Sequence, residues 1–395
     1  MKEFLIYSSR CFIDSQFIEA TLHIKNEKIL QIYKGIHKIE NIPFLDYNNL
    51  IVMPGIIDAH VHINEPGRET WEGFDTATKA AAIGGVTTLI EMPLNASPVT
   101  TDVSAFKLKQ DASKGKLHVN CGFYGGIIPA NKNDIEDLLN AGVFGIKGFL
   151  THSGIDEFLN VSKADLEAIA PTLKQYNIPL LLHCELTDDN VPEVTNPKNY
   201  QAYLESRPQH WETNAIDLAL DIQKQFDIKV HIVHLSASKG IERIKKRKQE
   251  TNKLTVETCP QYLYFNAENI PDASPIFKCA PPIREKANNN ELWEFLLDDG
   301  FNFLASDHSP APPELKQLES GDFFKAWGGI SGLQFTLPIL FSEGKKRGLQ
   351  TEKLIPLLTK KPAEFLGIDN IKGDLKVGYD ADITIWDDSE EFTIS

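Results

Sequence analysis

Cysteine is scarce in this chain of 395 residues, and what there is does not pair. Cys11, Cys121, Cys184, Cys259 and Cys279 are widely scattered and form no CxxC, which argues against a disulfide framework or a thiolate zinc site. Several sit in apolar runs, where a reduced cysteine behaves as a small hydrophobe, so a reducing cytoplasm is expected. Long hydrophobic runs are missing too: none approaches the ~18 residues of a membrane span. The N-terminal MKEFLIYSSRCFIDSQF lacks the apolar stretch and small-residue cleavage site of a secretory signal. Positive charge is in deficit, with 40 Lys and Arg against 55 Asp and Glu and a net charge of −15. Nucleic acid and anionic membrane both want a cationic surface, so neither is expected as a partner. Repeats, low-complexity tracts and flexible linkers are absent. What remains, 42% apolar and 24% charged, is an ordinary soluble globular composition with ample core material.

Residues 1–50 read as short alternating strands, such as Phe4-Leu5-Ile6-Tyr7 and Ala20 to Ile24, broken by turn residues such as Asn26 and Glu27. From Leu50 the texture changes, and apolar runs of strand length alternate with helical segments. Eight such runs stand out: 51–62, 86–92, 117–124, 145–150, 178–185, 228–235, 254–259 and 301–307. Most are nearly continuous in apolar residues, the pattern of parallel strands covered on both faces. Amphipathic stretches lie between them, including 134–140, 163–176 and 213–226. Eight strand–helix units fit a (β/α)₈ TIM barrel over 51–366 better than an open doubly wound sheet. After Leu366 short strands return, with turns at Gly373, Gly378 and Asp380 before 381–386. Residues 1–50 and 367–395 are therefore expected to join in one small β-sandwich beside the barrel.

In such a barrel the functional groups come from the C-terminal ends of several strands. Here the first run ends Asp58-Ala59-His60-Val61-His62, and residues at i and i+2 on a strand point the same way. The fifth run carries His183, the sixth His234, the eighth Asp307 and the fourth Lys147. Taken alone, each has a plainer role. A strand-end histidine is usually a hydrogen-bonded rim residue, and an aspartate there often caps the next helix. Lys147 is harder to excuse, because a buried ammonium without a partner is costly. All six at one barrel face suit a metal site better than six coincidences. Imidazole and carboxylate ligands suit zinc first, with manganese, iron or cobalt as alternatives. Two such ions need a bridging anion, which Lys147 supplies if its amine captures carbon dioxide as N6-carboxylysine. His231, nearer mid-strand, reads as structural; His23, His37, His118 and His210 fall outside the face; His152 and His308 adjoin it.

His60-x-His62, Lys147, His183, His234 and Asp307, in this order, resemble the binuclear, carboxylated-lysine branch of the amidohydrolase superfamily, with its dihydroorotases, hydantoinases and allantoinases. The wording between them is most similar to the allantoinase family: HVHINEPGRETWEGF (60–74), GGVTTLIEMPLNASP (84–98), YLESRPQHWETNAI (203–216), FKCAPPIRE (277–285) and SDHSPAPPELKQLESGDFFKAWGGISGLQ (306–334). The resemblance implies hydrolytic opening of allantoin to allantoate in purine (ureide) catabolism by metal-activated hydroxide. It further implies two divalent metals per subunit, one held by His60, His62 and Asp307 and the other by His183 and His234. Carboxylated Lys147 bridges them, Asp307 is the proton carrier, and Asn64, Asn95 and Ser309 contact the small-molecule substrate, with backbone near Gly328 and Gly329. A homotetramer is the assembly implied. Dihydroorotases carry a carboxylate-holding arginine where this chain has Asn64, which favours a neutral ring. Arg68 stands nearby and reads as a loop ion pair with Glu65 or Glu72. Gln261 and Ala311 depart from the common histidine and cysteine. Members of the family continue several dozen residues past Ala381-Asp382-Ile383, whereas this sequence stops at Ser395, so either the chain is shortened or the sandwich is reduced. The rival readings are a dihydroorotase or hydantoinase and, remotely, a non-catalytic scaffold.

Overall fold

The structure is a computed structural model and describes residues 3–188 and 194–393. Met1, Lys2, Ile394 and Ser395, which the sequence pattern assigns to the sandwich, lie outside the described residues. The apolar runs form the strands Ile56–Val61, Val86–Glu91, Asn120–Phe123, Ile146–Phe149, Leu180–His183, Val230–Ile232, Leu254–Thr258 and Phe303–Leu304. Every ladder between neighbours in this set is parallel. Residues 120–126 carry the ladder past Tyr124: Asn120–Phe123 pairs with Val86–Glu91, while Gly125–Gly126 pairs with Ile146–Phe149. Closure comes from the last strand and the residues after it. Ser306 N donates to Asp58 Oδ1 at 3.2 Å, and His62 N donates to the His308 carbonyl at 2.7 Å. The cylinder of an α/β barrel results: outward-facing strand residues such as Val86, Leu180 and Val230 pack with the apolar faces of the surrounding helices, while Ile57, Ile90, Leu181 and Phe303 belong to a second cluster.

Helices cover the outside because their sequences give each an apolar face and a stop. Lys163–Tyr176 starts on a capping box in which Ser162 and Asp165 satisfy each other's backbone N–H, and it ends at Asn177 in the left-handed region, φ 54°. Gln209–Phe226 buries Trp211, Ala215, Ile216, Ala219 and Ile222 at helical spacing. The helix Lys360–Leu366 closes the bottom of the barrel, where Phe365 lies 4.5 Å from the His231 ring and 5.0 Å from Phe303.

The run 51–62 does not stay one strand. It breaks at Gly55, and Ile51–Pro54 pairs with Glu3–Ile13 and antiparallel with Ile383–Trp386. Only Ile56–Val61 enters the barrel. Glycine is required at the break, since a Cβ on Gly55 would lie 2.0 Å from Thr87 Oγ1. Both chain ends thus meet in the small β-sandwich domain, where Ile383–Trp386, Ile51–Pro54, Glu3–Ile13, Gln16–Lys25 and Lys28–Lys34 pair in that order and Phe44–Asp46 branches off Glu3–Ile13. A shift in register between Ser8 and Cys11 lets the long first strand pair with Phe44–Asp46 on one half and Ile51–Pro54 on the other.

Candidate functional site

Six side chains meet at the C-terminal mouth of the barrel. His60 lies in the strand Ile56–Val61 with His62 just beyond it, Lys147 is in Ile146–Phe149, and His183 ends Leu180–His183. His234 and Asp307 follow their strands by two and three residues, and both have positive φ, 40° and 47°. Non-glycine residues avoid that region at a cost of about 1–3 kcal/mol, so the surrounding fold holds each in an unfavourable conformation. All six are buried. Asp307 Oδ1 stands 3.2 Å from His60 Nε2 and 3.4 Å from His62 Nε2, and His183 Nδ1 stands 3.0 Å from His234 Nε2. His60, His62 and Asp307 offer ligand atoms that all lie within 4.8 Å of one another, a set that can hold a metal ion.

Protonation agrees with that use. Burial pushes His62 down to about 4, although Asp307 opposes it. Burial also lowers His183, against the pull of Glu185, and lowers His234 well below the ordinary range, helped by the charges of His183 and Lys147. These imidazoles are neutral at neutral pH and keep a lone pair for a cation. His60 Nε2, His62 Nδ1 and His234 Nδ1 are buried and make no hydrogen bond. Carboxylates orient two of the rings from behind. His60 Nδ1 meets Glu257 Oε1 at 2.5 Å, and the other oxygen of Glu257 meets His231 Nε2 at 3.1 Å. His183 Nε2 meets Glu185 Oε2 at 2.7 Å, and Arg207 Nε donates to Glu185 Oε1 at 3.0 Å. Burial alone would raise the Glu185 carboxyl, but Arg207 and His183 outweigh it and hold it at about 2. A carboxylate behind each ring fixes the N–H on the outer nitrogen and leaves the inner one bare, so the donor set fits transition-metal binding.

Lys147 is fully buried and its Nζ makes no hydrogen bond. Burial lowers it to about 8, while Asp307 and Glu257 resist the shift. A substantial neutral fraction at physiological pH leaves its amine nucleophilic.

Asn64, Asn95 and Ser309 are buried in the loops around this mouth. Asn64 Nδ2 reaches the Pro310 carbonyl at 3.5 Å, while its Oδ1 makes no hydrogen bond. Asn95, at φ 78°, donates from Nδ2 to Ser309 Oγ at 3.3 Å. The backbone of Gly329 approaches so closely that a Cβ there would lie 2.3 Å from the Ser309 carbonyl oxygen. Arg68 corrects its expected pairing: it binds Glu157 at 2.7 Å and the carbonyls of Asn95 and Ala96, not Glu65 or Glu72. Glu65 pairs with Lys116, and Glu72 Oε2 lies 2.5 Å from His308 Nε2. His308 is thus buried at the edge of the site, whereas His152 is exposed beside Asp156. Gln261 is buried with an unpartnered Nε2, and Ala311 faces a groove on the barrel flank. That groove runs beside Thr336–Lys346, and none of the six lines it.

Sequence reasoning missed Glu257, Glu185 and Arg207. Glu185 and Glu257 stand at or near the ends of the fifth and seventh runs, so the strand-end rule that found the histidines reaches them too. Arg207 lies within the family-like stretch 203–216, but it stands between the helices Tyr200–Glu205 and Gln209–Phe226 and not at a strand end, so the strand-end rule does not reach it.

Residues 51–394 match the model of the amidohydrolase family. The chain is 43% identical to a probable allantoinase from Oryza sativa subsp. japonica over 98% of its own length and 80% of that protein's. It is 38% identical to an allantoinase from Saccharomyces cerevisiae, covering 99% of this chain and 84% of that one. Among solved structures, the L-hydantoinase (dihydropyrimidinase) from Arthrobacter aurescens superposes with a TM-score of 0.89 at 31% identity, over 96% of this chain and 86% of that one.

Proposed function

The chain belongs to the amidohydrolase family, and on that premise we propose that it hydrolyses a cyclic amide, opening the hydantoin ring of allantoin to give allantoate. The observation that carries the reading is the buried Lys147 Nζ, which makes no hydrogen bond, at the mouth it shares with His60, His62, His183, His234 and Asp307. An isolated ammonium there is costly; as a carbamate it is an anion among ligands. His60, His62 and Asp307 would hold one divalent ion and His183 and His234 the other, with carboxylated Lys147 as the anionic ligand common to them and zinc the first choice. Bound metal supplies Lewis acidity, bringing the pKa of water toward neutrality and polarising the ring carbonyl.

The remaining steps belong to the chain. Asp307 Oδ accepts a proton from the attacking water and returns it to the departing ring nitrogen, so the C–N bond breaks as the new C–O bond forms. Asn64, Asn95 and Ser309 orient the ring through groups that both donate and accept, as a ureide requires. A neutral substrate is favoured over dihydroorotate because Asn64 is uncharged and Arg68 is already held by Glu157 and two carbonyls. The barrel is 51–366 in this scheme, with the two ends in the sandwich and the enzyme a homotetramer. Among the described residues no helix is long and apolar enough to cross a membrane. Its five free cysteines suit the reducing cytoplasm. Protein reconstituted with divalent metal and bicarbonate should open allantoin well ahead of dihydroorotate and plain hydantoin assayed beside it. A preference for dihydroorotate would overturn the substrate assignment.

A further inference from the structure

The segments 277–285 and 306–334 each carry a lysine whose ammonium turns inward. Lys316 Nζ donates to the carbonyl oxygens of Lys278 at 3.1 Å, Trp327 at 3.1 Å and Gly329 at 2.8 Å. An ammonium has three N–H donors, so these use all of them. Lys278 Nζ in turn donates to the carbonyls of Phe324 at 3.2 Å and Ala326 at 2.6 Å, and sits 5.3 Å from the Tyr203 ring centre. Burial presses both below the ordinary lysine range, Lys278 to about 7 and Lys316 to about 8. Placing two cations on carbonyl oxygens is an expensive way to fold a loop, and apolar side chains would fill the same space more cheaply.

What the lysines gather is the turn next to Ser309. Gly329 N donates to the Lys278 carbonyl at 2.9 Å, Trp327 N to Leu315 at 2.7 Å, and Ser309 N to Ile330 at 3.1 Å. Ser309 follows Asp307 by two residues and holds Asn95 through its hydroxyl. A hydantoin ring shows alternating N–H and C=O groups around its edge, and fixed backbone N–H and C=O groups complement such an edge. We propose that Lys316 and Lys278 are positioning residues for the substrate: together they lock Trp327-Gly328-Gly329 against Ser309, so that this turn meets the ring edge in one register. The proposal rests on the cyclic-amide hydrolase reading.

Lys316→Met, Lys316→Arg and Lys278→Met, each in the full chain loaded with divalent metal and bicarbonate, test it. Metal content should stay at the wild-type level, and amide exchange across 322–332 should quicken while the barrel strands keep their protection. KM for the ring that the wild type opens should rise by about tenfold or more, with a smaller fall in kcat, since a small displacement of positioning groups is expensive. Lys316→Arg, which keeps the charge and its donors, should fall between wild type and Lys316→Met. Unchanged exchange in 322–332 would overturn the proposal. So would a lower Tm with KM held within about twofold, which is the behaviour of a purely structural lysine. A wild type that opens none of the offered rings would strike the hydrolase reading itself and remove this proposal with it. A wild type that turns over beside unaffected variants would remove the proposal alone.

Discussion

Changing Glu257 to Gln removes a charge that touches the candidate site only through other residues. Its carboxylate takes His60 Nδ1 at 2.5 Å on one oxygen and His231 Nε2 at 3.1 Å on the other, and the first also accepts from His234 N at 3.3 Å. Glutamine keeps one acceptor oxygen and presents an amide N–H₂ to the other neighbour. If the amide faced His60, that ring would have to carry its proton on Nε2 and would lose the lone pair aimed at Asp307 and the metal. The cheaper arrangement turns the amide toward His231, whose proton can move to Nδ1 and bond Thr255 Oγ1, 2.8 Å away. His60 then keeps its tautomer but loses a charge-assisted bond, worth about 1.5–3 kcal/mol, for a neutral one of about 0.5–1.5 kcal/mol. The difference is on the order of 1–2 kcal/mol, or about 5- to 30-fold in metal affinity, within the ~10–100-fold usual for groups behind a ligand. Competition against a chromophoric chelator measures it. Glu257→Ala should cost more, because three buried N–H groups lose their acceptor. Affinity within about twofold of wild type in Glu257→Gln would refute the reasoning.

Asp307→Asn should abolish ring opening while metal remains bound, read by turnover and elemental analysis on one sample; retained activity would remove the proposed proton role. Lys147→Met should raise the Tm of the metal-free protein, because a fully buried ammonium that makes no hydrogen bond and has only the Phe149 ring 5.0 Å away gives way to an apolar chain of similar length. A lower metal-free Tm would mean that the Phe149 ring and the charges of Asp307 and Glu257 outweigh the cost of burying the ammonium. Glu185 gives a pH test. Its folded carboxyl is held at about 2, below the ~4.3 of an unfolded glutamate, so its contribution is complete above about pH 4.5 and fades as pH falls toward 2. The urea midpoint of wild type should therefore drop more steeply through that window than that of Glu185→Gln, and parallel curves would contradict the assignment.

The barrel was legible because its strands are covered on both faces and so read as apolar runs, and because imidazole and ammonium groups at the ends of such runs are costly to bury without a use. The break at Gly55 was hidden for the same reason: Ile51–Pro54 is as buried as the barrel strand that follows it. Pairing partners, not hydrophobicity, separate the two. The histidines, Lys147 and Asp307 stood out by residue type and place. The carboxylates behind them did not, since an acidic residue near a strand end reads equally well as a cap. Arg68 shows a further limit, for its nearest acids in sequence, Glu65 and Glu72, are taken by Lys116 and His308, and its partner Glu157 lies on a distant loop.

The central claim is that the mouth of the barrel is a two-metal site organised by a carboxylated Lys147. Metal per subunit, measured by elemental analysis after reconstitution with a divalent ion in bicarbonate, tests it most directly. Wild type should bind close to two equivalents, and Lys147→Met should bind clearly less with the fold intact. Fewer than one equivalent in wild type, or two in the variant, would contradict it.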